Sequence, residues 1–260
     1  MFESLNLFGR EISLYQLIAT AGVLVAGFYA CRRAKRRGMD DNDMILCLLC
    51  AGVGVVLGGH LLYAVTQISL WPRLWTGGSW RDFFTNMYIV FGGSVFYGGL
   101  LGGMAAGALY LRHRGLSLGT YGDIMAAGTP LFHVFGRLGC FFSGCCYGVP
   151  SVFGVTYHHA LVAQANGVSR FPVQLLEALM NLVLFLVMRR LERTGKYPGR
   201  LFGLYLMIYA LGRFLLEFLR GDAYRGFLWG LSTSQWVSIL LFPCALAAVL
   251  LLRRRQRISV

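Results

Sequence analysis

Seven predominantly apolar stretches run through this chain, beginning near Ile12, Met44, Ile89, Leu118, Pro172, Leu201 and Ser234. Each approaches the run of about 20 residues that a helix needs to cross the hydrocarbon layer of a bilayer. The predicted fold is therefore all-α: a polytopic membrane protein with about seven transmembrane helices, forming a single integral membrane domain over residues 1–260. Composition agrees, since only 13% of residues are charged and mean hydropathy is +0.60, whereas soluble domains carry about 25% charged residues. The net charge of +13 does not imply a nucleic-acid partner. Basic residues here punctuate apolar segments, whereas a nucleic-acid binder gathers them on one folded face.

Their distribution instead sets topology. Clusters at Arg32–Arg37, Arg112–Arg114, Arg189–Arg200 and Arg253–Arg257 hold 16 of the 24 Lys and Arg and fall on one side, which the positive-inside rule assigns to the cytoplasm. The N-terminus is then outside and the C-terminus inside. No short apolar core with a small-residue cleavage site opens the chain, so the first helix is expected to remain. Residues 67–88, with Trp71, Trp75 and Trp80, and residues 149–171, with His158 and His159, are expected as outward-facing loops. Tryptophan favours the headgroup layer.

Eight basic residues have no topological explanation, and two of them, Arg137 and Arg213, lie within apolar segments. A guanidinium at that depth is costly unless it meets an anion or a wet cavity. The fourth segment is expected to be broken, with Asp123 near its start, Pro130 in its middle, and Gly136, Gly139 and Gly144 following. Irregular backbone in a membrane needs protein or a cavity around it. In the sixth segment Tyr209, Arg213, Glu217 and Arg220 are spaced to share one helical face. An ion ladder between helices is the bland reading of this stripe. Gln174, Glu177 and Asn181 repeat the pattern in the fifth, making Glu177 a candidate partner of Arg137 or Arg213. Paired guanidinium forks suit phosphate, and in a membrane the abundant phosphates belong to lipid headgroups. The residues alone point to a cavity that holds an anionic phospholipid, and leave cleavage and carriage both open.

The runs GGSVFYGGLLGG (92–103), GRLGCFFSGCCYG (136–148), RFPVQLLEAL (170–179) and GLYLMIYALGRFLLEFLRGD (203–222) resemble the prolipoprotein diacylglyceryl transferase family of bacterial inner membranes. Tyr15 and the GGHLLY run from Gly58 extend the resemblance over most of the chain. It implies transfer of a diacylglyceryl group from phosphatidylglycerol to the thiol of a lipobox cysteine in a preprotein, releasing glycerol phosphate outside. By position, Arg137 and Arg213 would clamp the phosphate. Tyr15, Gly98, Gly99, Tyr209 and Gly148, which closes the signature, would line the lipid site, with Glu217 and Arg220 bracing the stripe. The resemblance implies no cofactor.

The departures from the family pattern are chemical. Tyr97 stands where the family has a histidine proposed to deprotonate the thiol, and a tyrosine, titrating near about 10, is a poor base at neutral pH. His133, one turn before Arg137, is the substitute candidate. A histidine hydrogen-bonded across helices is its bland reading. The family signature has the form GRxGNFxNGExxG, whereas this chain has Cys140, Ser143 and Cys145, with Cys146 added; His60 replaces an arginine. For Cys140, Cys145 and Cys146 three roles stand open: a structural pair or disulfide, a metal site with His133, or a reactive thiol that takes the lipid-derived group. The site as assigned contains no metal. Cys31, Cys47, Cys50 and Cys244 read as packing residues. Rival functions are a paralogue serving another acceptor and a non-catalytic lipid or anion carrier.

Overall fold

The computed structural model describes residues 4–7, 10–76, 78–222 and 227–258. It is mostly helical, with eight α-helices among the described residues: α1 (Leu14–Arg36), α2 (Asp41–Thr66), α3 (Trp80–Phe91), α4 (Phe96–His113), α5 (Leu118–Ser143), α6 (Val173–Thr194), α7 (Leu201–Leu216) and α8 (Thr233–Ile258). Among the described residues, four segments, Leu14–Arg36, Asp41–Thr66, Leu201–Leu219 and Thr233–Arg254, are long and apolar enough to cross a membrane. The all-α expectation stands for a mostly helical chain, with short strands where the chain reverses. Three short antiparallel pairs form there: β1 (Ser4–Leu7) with β2 (Arg10–Ser13), β3 (Pro150–Thr156) with β4 (Ser169–Arg170), and β5 (Phe227–Leu228) with β6 (Leu231–Ser232).

The chain divides into two compact units, Met1–Arg33 with Gly119–Val260, and Ala34–Leu118. In the second unit, α2 and α4 lie backbone to backbone. A Cβ on Gly98 would strike the Gly58 carbonyl, and one on Gly102 would strike that of Gly54, so these glycines set the closeness of the seam. Asp43 closes its far end, accepting from Tyr110 Oη at 2.7 Å and Arg114 Nε at 3.2 Å. The third apolar segment does not run on from Ile89. Instead, α3 ends at Phe91, and α4 begins at Phe96. The residues between include Gly92, Gly93 and Ser94, poor helix formers. His60 Nδ1 lies 2.7 Å and 2.8 Å from the Phe91 and Gly93 carbonyls, and Val95 N–H donates to Gly59 O, so the break is satisfied by protein.

In the first unit, Ala126 and Ala127 of α5 pack against Leu184 and Met188 of α6 and Leu201 and Tyr205 of α7, all buried. Alanine on one helix admits the bulky side chains of the other two. Helix α5 is continuous over 26 residues with Pro130 inside it, which corrects the expectation of a broken fourth span. Proline removes one donor, yet the ladder closes again around it, and Thr129 Oγ1 donates to the Met125 carbonyl at 2.8 Å. The irregular backbone lies after Ser143 instead. Buried Asp123 is not part of a break either. Its carboxylate accepts from Gly199 N–H at 2.6 Å and Leu201 N–H at 3.0 Å, so α5 caps the N-terminus of α7. Helix α8 starts with a capping box, Ser232 Oγ accepting from Gln235 N–H and Gln235 Oε1 from Ser232 N–H. Arg33 of α1 grips Glu192 of α6 through Nε and Nη2, the shortest contact being 2.7 Å.

Candidate active site

The polar stripe of α6 faces α5 and α7, and Gln174, Glu177 and Asn181 are all buried. At its centre, Glu177 Oε1 lies 2.9 Å from Arg137 Nη2 on α5 and 3.8 Å from Arg213 Nε on α7. One carboxylate therefore joins the two arginines. Arg213 is also paired with Glu217, one turn on, and donates to Ser234 Oγ of α8 at 3.1 Å. The two arginines differ in access: the Arg137 side chain keeps 20% of its exposure and that of Arg213 only 9%. Tyr209 comes within hydrogen-bonding reach of Arg137. His133 stacks on Tyr209 at 5.3 Å between ring centroids, and its Nδ1 lies 3.4 Å from Tyr205 Oη. It thus sits in a cross-helix contact one turn from Arg137.

The stripe is corrected at its end. Helix α7 stops at Leu216, a 3-10 turn covers Glu217–Leu219, and Arg220 has extended backbone with ψ 137°. Arg220 therefore leaves the helical face and forks onto Asp222, with contacts of 3.0 Å and 2.6 Å. The chain around Gly148 runs beside it, with Gly148 bridging Arg220: Val149 N–H donates to Leu219 O, Gly221 N–H to Tyr147 O, and Phe171 N–H to Val149 O. A Cβ on Gly148 would strike the Phe171 carbonyl, so glycine is required for this close threading. Asp222 and Ser234 were missed in the sequence. The signal for Asp222 was present, as an acidic residue two places after Arg220.

The C-terminus of α5 brings the cysteines together. Gly144, at φ +67°, ends the helix, with Gly144 N–H donating to Phe141 O and Cys145 N–H to Cys140 O at 3.2 Å. This is the paired bonding of a Schellman cap, and the bond that spans five residues sets Cys145 against Cys140. Cys146 follows at φ 55°, one of two non-glycine residues with positive φ among the described residues. The three sulfurs lie within 4.8 Å of one another and all three thiols are free. Gln174 Nε2 holds the Cys145 carbonyl at 2.9 Å. The Arg220 and Arg137 guanidiniums lie within electrostatic reach of the Cys146 thiol. Tyr15 packs on Gly139, where a Cβ would stand 3.0 Å from Tyr15 Cδ2, and lies within electrostatic reach of Arg137 and all three thiols.

Arg137, Arg213, Tyr209, Glu217, His133, Tyr15, Gly148, Arg220 and the cysteines thus all belong to one unit. Gly98 and Gly99 belong to the other, where their missing side chains serve the α2–α4 seam. Tyr97 lies in α4, with its side chain outside the described residues.

The family model described as prolipoprotein diacylglyceryl transferase matches residues 3–251. The phosphatidylglycerol--prolipoprotein diacylglyceryl transferase of Clostridium tetani is 32% identical over 239 residues, 90% of each chain. Transferase 2 of Clostridium perfringens is 30% identical, covering 91% of this chain and 89% of its own. The Rhodospirillum rubrum transferase is 33% identical, covering 96% and 91%. With that model matching residues 3–251 and relatives at 30% identity or more over about nine-tenths of the chain, the chain belongs to the prolipoprotein diacylglyceryl transferase family.

Proposed function

We propose that this protein transfers the diacylglyceryl group of phosphatidylglycerol to the lipobox cysteine of prolipoproteins, with release of glycerol phosphate on the outer face of the bacterial inner membrane. The observation that carries the reading is the bridge from Glu177 to both Arg137 and Arg213, which anchors two guanidiniums beside each other in the core of α5, α6 and α7. The local charges balance, so a phosphate is not drawn by net charge. Arg137 contacts Glu177 through Nη2 and is the more exposed of the two, which favours it as the fork that meets the headgroup. Arg213, fixed by Glu177, Glu217 and Ser234, acts as a positive charge behind it. When the acceptor thiolate attacks the glyceryl carbon, the C–O bond breaks and negative charge grows on the phosphate oxygens, where such prearranged donors contribute most.

In this reading seven helices span the bilayer with the N-terminus outside, and residues 67–88 and 149–171 face outward. Tyr15 and Tyr209 line the lipid site. The test is transfer from labelled phosphatidylglycerol to a lipobox peptide by membranes containing the protein. Arg137→Ala is expected to lower the rate at least about 100-fold, while Arg137→Lys stays impaired, because an ammonium lacks the planar fork. Full activity of Arg137→Ala would overturn the assignment. A folded wild-type protein that binds the lipid but releases no glycerol phosphate would be a carrier.

A further inference from the structure

The family pattern is altered at two places that bear on the same step. The residue proposed to take the proton from the acceptor thiol is replaced by Tyr97, and the polar signature is replaced by a group of three thiols. We propose that Cys140, Cys145 and Cys146 bind a zinc ion whose fourth position receives the lipobox thiol, so that the metal does the work of the absent base. This deepens the transferase reading and rests on it.

The geometry suits three-thiolate coordination. Zinc–sulfur bonds of about 2.3 Å in a tetrahedral site place sulfurs about 3.8 Å apart, and the three sulfurs already lie within 4.8 Å of one another. No further His, Cys, Asp or Glu joins this group among the described residues, which leaves the fourth position to water or substrate, the arrangement of catalytic zinc. His133, the donor suggested by sequence, is engaged with Tyr205 and Tyr209 instead. The backbone holds the group in place. The α5 cap brings Cys145 to Cys140, Gln174 anchors the Cys145 carbonyl, and Cys146 occupies a left-handed conformation that a non-glycine residue adopts only at a cost. Cys145 and Cys146 retain partial exposure, giving a path for entry.

Charge and placement fit as well. Three thiolates and Zn2+ carry one net negative charge, and the Arg137 and Arg220 guanidiniums lie within reach of it. Cys140 follows Arg137 by three residues on the same helix, so the two side chains share a face, about 5–6 Å apart at Cβ. A thiol held on the zinc would then lie beside a phosphate held on Arg137. The step balances. Zinc binding releases three protons from the cysteines, and the acceptor thiol displaces water and loses its proton to solvent, since a coordinating thiol is deprotonated outright. The thiolate sulfur bonds to the glyceryl carbon as the C–O bond breaks, and the electron pair leaves on glycerol phosphate. Direct attack by one of the cysteines would instead form an alkyl thioether on the enzyme, from which thiolate leaves too poorly for the lipid to be passed on.

The test uses the full chain, purified in detergent, reduced, stripped with chelator and titrated with Co2+ and then Zn2+. Thiolate-to-cobalt absorption should rise to one equivalent and be displaced by Zn2+, and X-ray absorption of the zinc form should show three sulfurs at about 2.3 Å. Cys140→Ser, Cys145→Ser and Cys146→Ser should each weaken Zn2+ binding at least about tenfold, with helicity retained by circular dichroism, while Cys244→Ser leaves it unchanged. A lipobox peptide should shift the cobalt spectrum, and its Cys→Ser version should not. Absence of the absorption, or its persistence in the triple serine variant, overturns the metal site. If the chelated protein still transfers diacylglyceryl at the full rate, the inference fails and the transferase reading stands. If the spectra behave as expected but no transfer occurs, the transferase reading fails while the thiol-accepting metal site remains.

Discussion

Glu177 is the residue on which the charged centre depends. It is buried and compensates two arginines, and breaking a buried ionic contact by removing one partner costs about 3–5 kcal/mol. Glu177→Gln should therefore lower unfolding stability in detergent by that order, and in a double-mutant cycle with Arg137→Gln the two losses should be less than additive. Additive losses would mean that the residues do not interact. Most of this centre was legible in the sequence, because charge in an apolar run is rare and spacings of three and four place Glu177 and Asn181, or Tyr209 and Arg213, on one face. Ser234 was not legible. It reaches Arg213 from another helix, and a serine at a helix start looks like a cap wherever it occurs. The placement of Arg220 was misjudged for a physical reason: spacing assumes an α-helix throughout, and the chain tightens into a 3-10 turn at Glu217.

Among the elements, α5 carries most of the architecture. It supplies Ala126 and Ala127 to the core, Arg137 to the charged centre and Cys140 to the thiol group, and through Asp123 it caps α7. Asp123→Ala leaves two N–H groups at that helix start without their acceptor. It should lower thermal stability by about 1–3 kcal/mol, while Asp123→Asn, which keeps one acceptor oxygen, should lose less. Equal stability of the two variants would refute the capping role. The sequence predicts a broken helix here because proline and glycine are helix breakers. In an apolar setting a helix absorbs one missing donor, and the real ending was set by Gly144, where a left-handed residue is needed. Gly144→Ala should destabilise the fold, since its Cβ would strike that of Ala160, and should weaken Zn2+ binding by displacing Cys145 from Cys140.

At the scale of the molecule, basic clusters and apolar runs state a topology more readily than a contact map does. The proposal that residues 67–88 and 149–171 face outward and the C-terminus inward is tested by reporter fusions. Alkaline phosphatase inserted at Gly78 should be active, and a fluorescent protein fused after Arg254 should fluoresce, with the opposite pattern inverting the proposed orientation. Four of the apolar runs, those near Ile12, Met44, Leu201 and Ser234, recur among the described residues as helices long and apolar enough to cross a membrane, because hydrocarbon imposes length and composition. The α2–α4 seam was half legible, since a glycine run is equally compatible with a neighbouring helix and a ligand until the partner glycines are located. Cys146 offers a last consequence. Its torsion at φ 55° inverts the usual ranking of replacements: threonine, close in size to cysteine, is β-branched and resists that corner of conformational space, whereas glycine enters it freely. A mutational survey should find the smallest residue better tolerated there than the β-branched one matched for size, and thermal melts of the two variants in that order would show that the loop's shape is dictated by the main chain before any chemistry of sulfur begins.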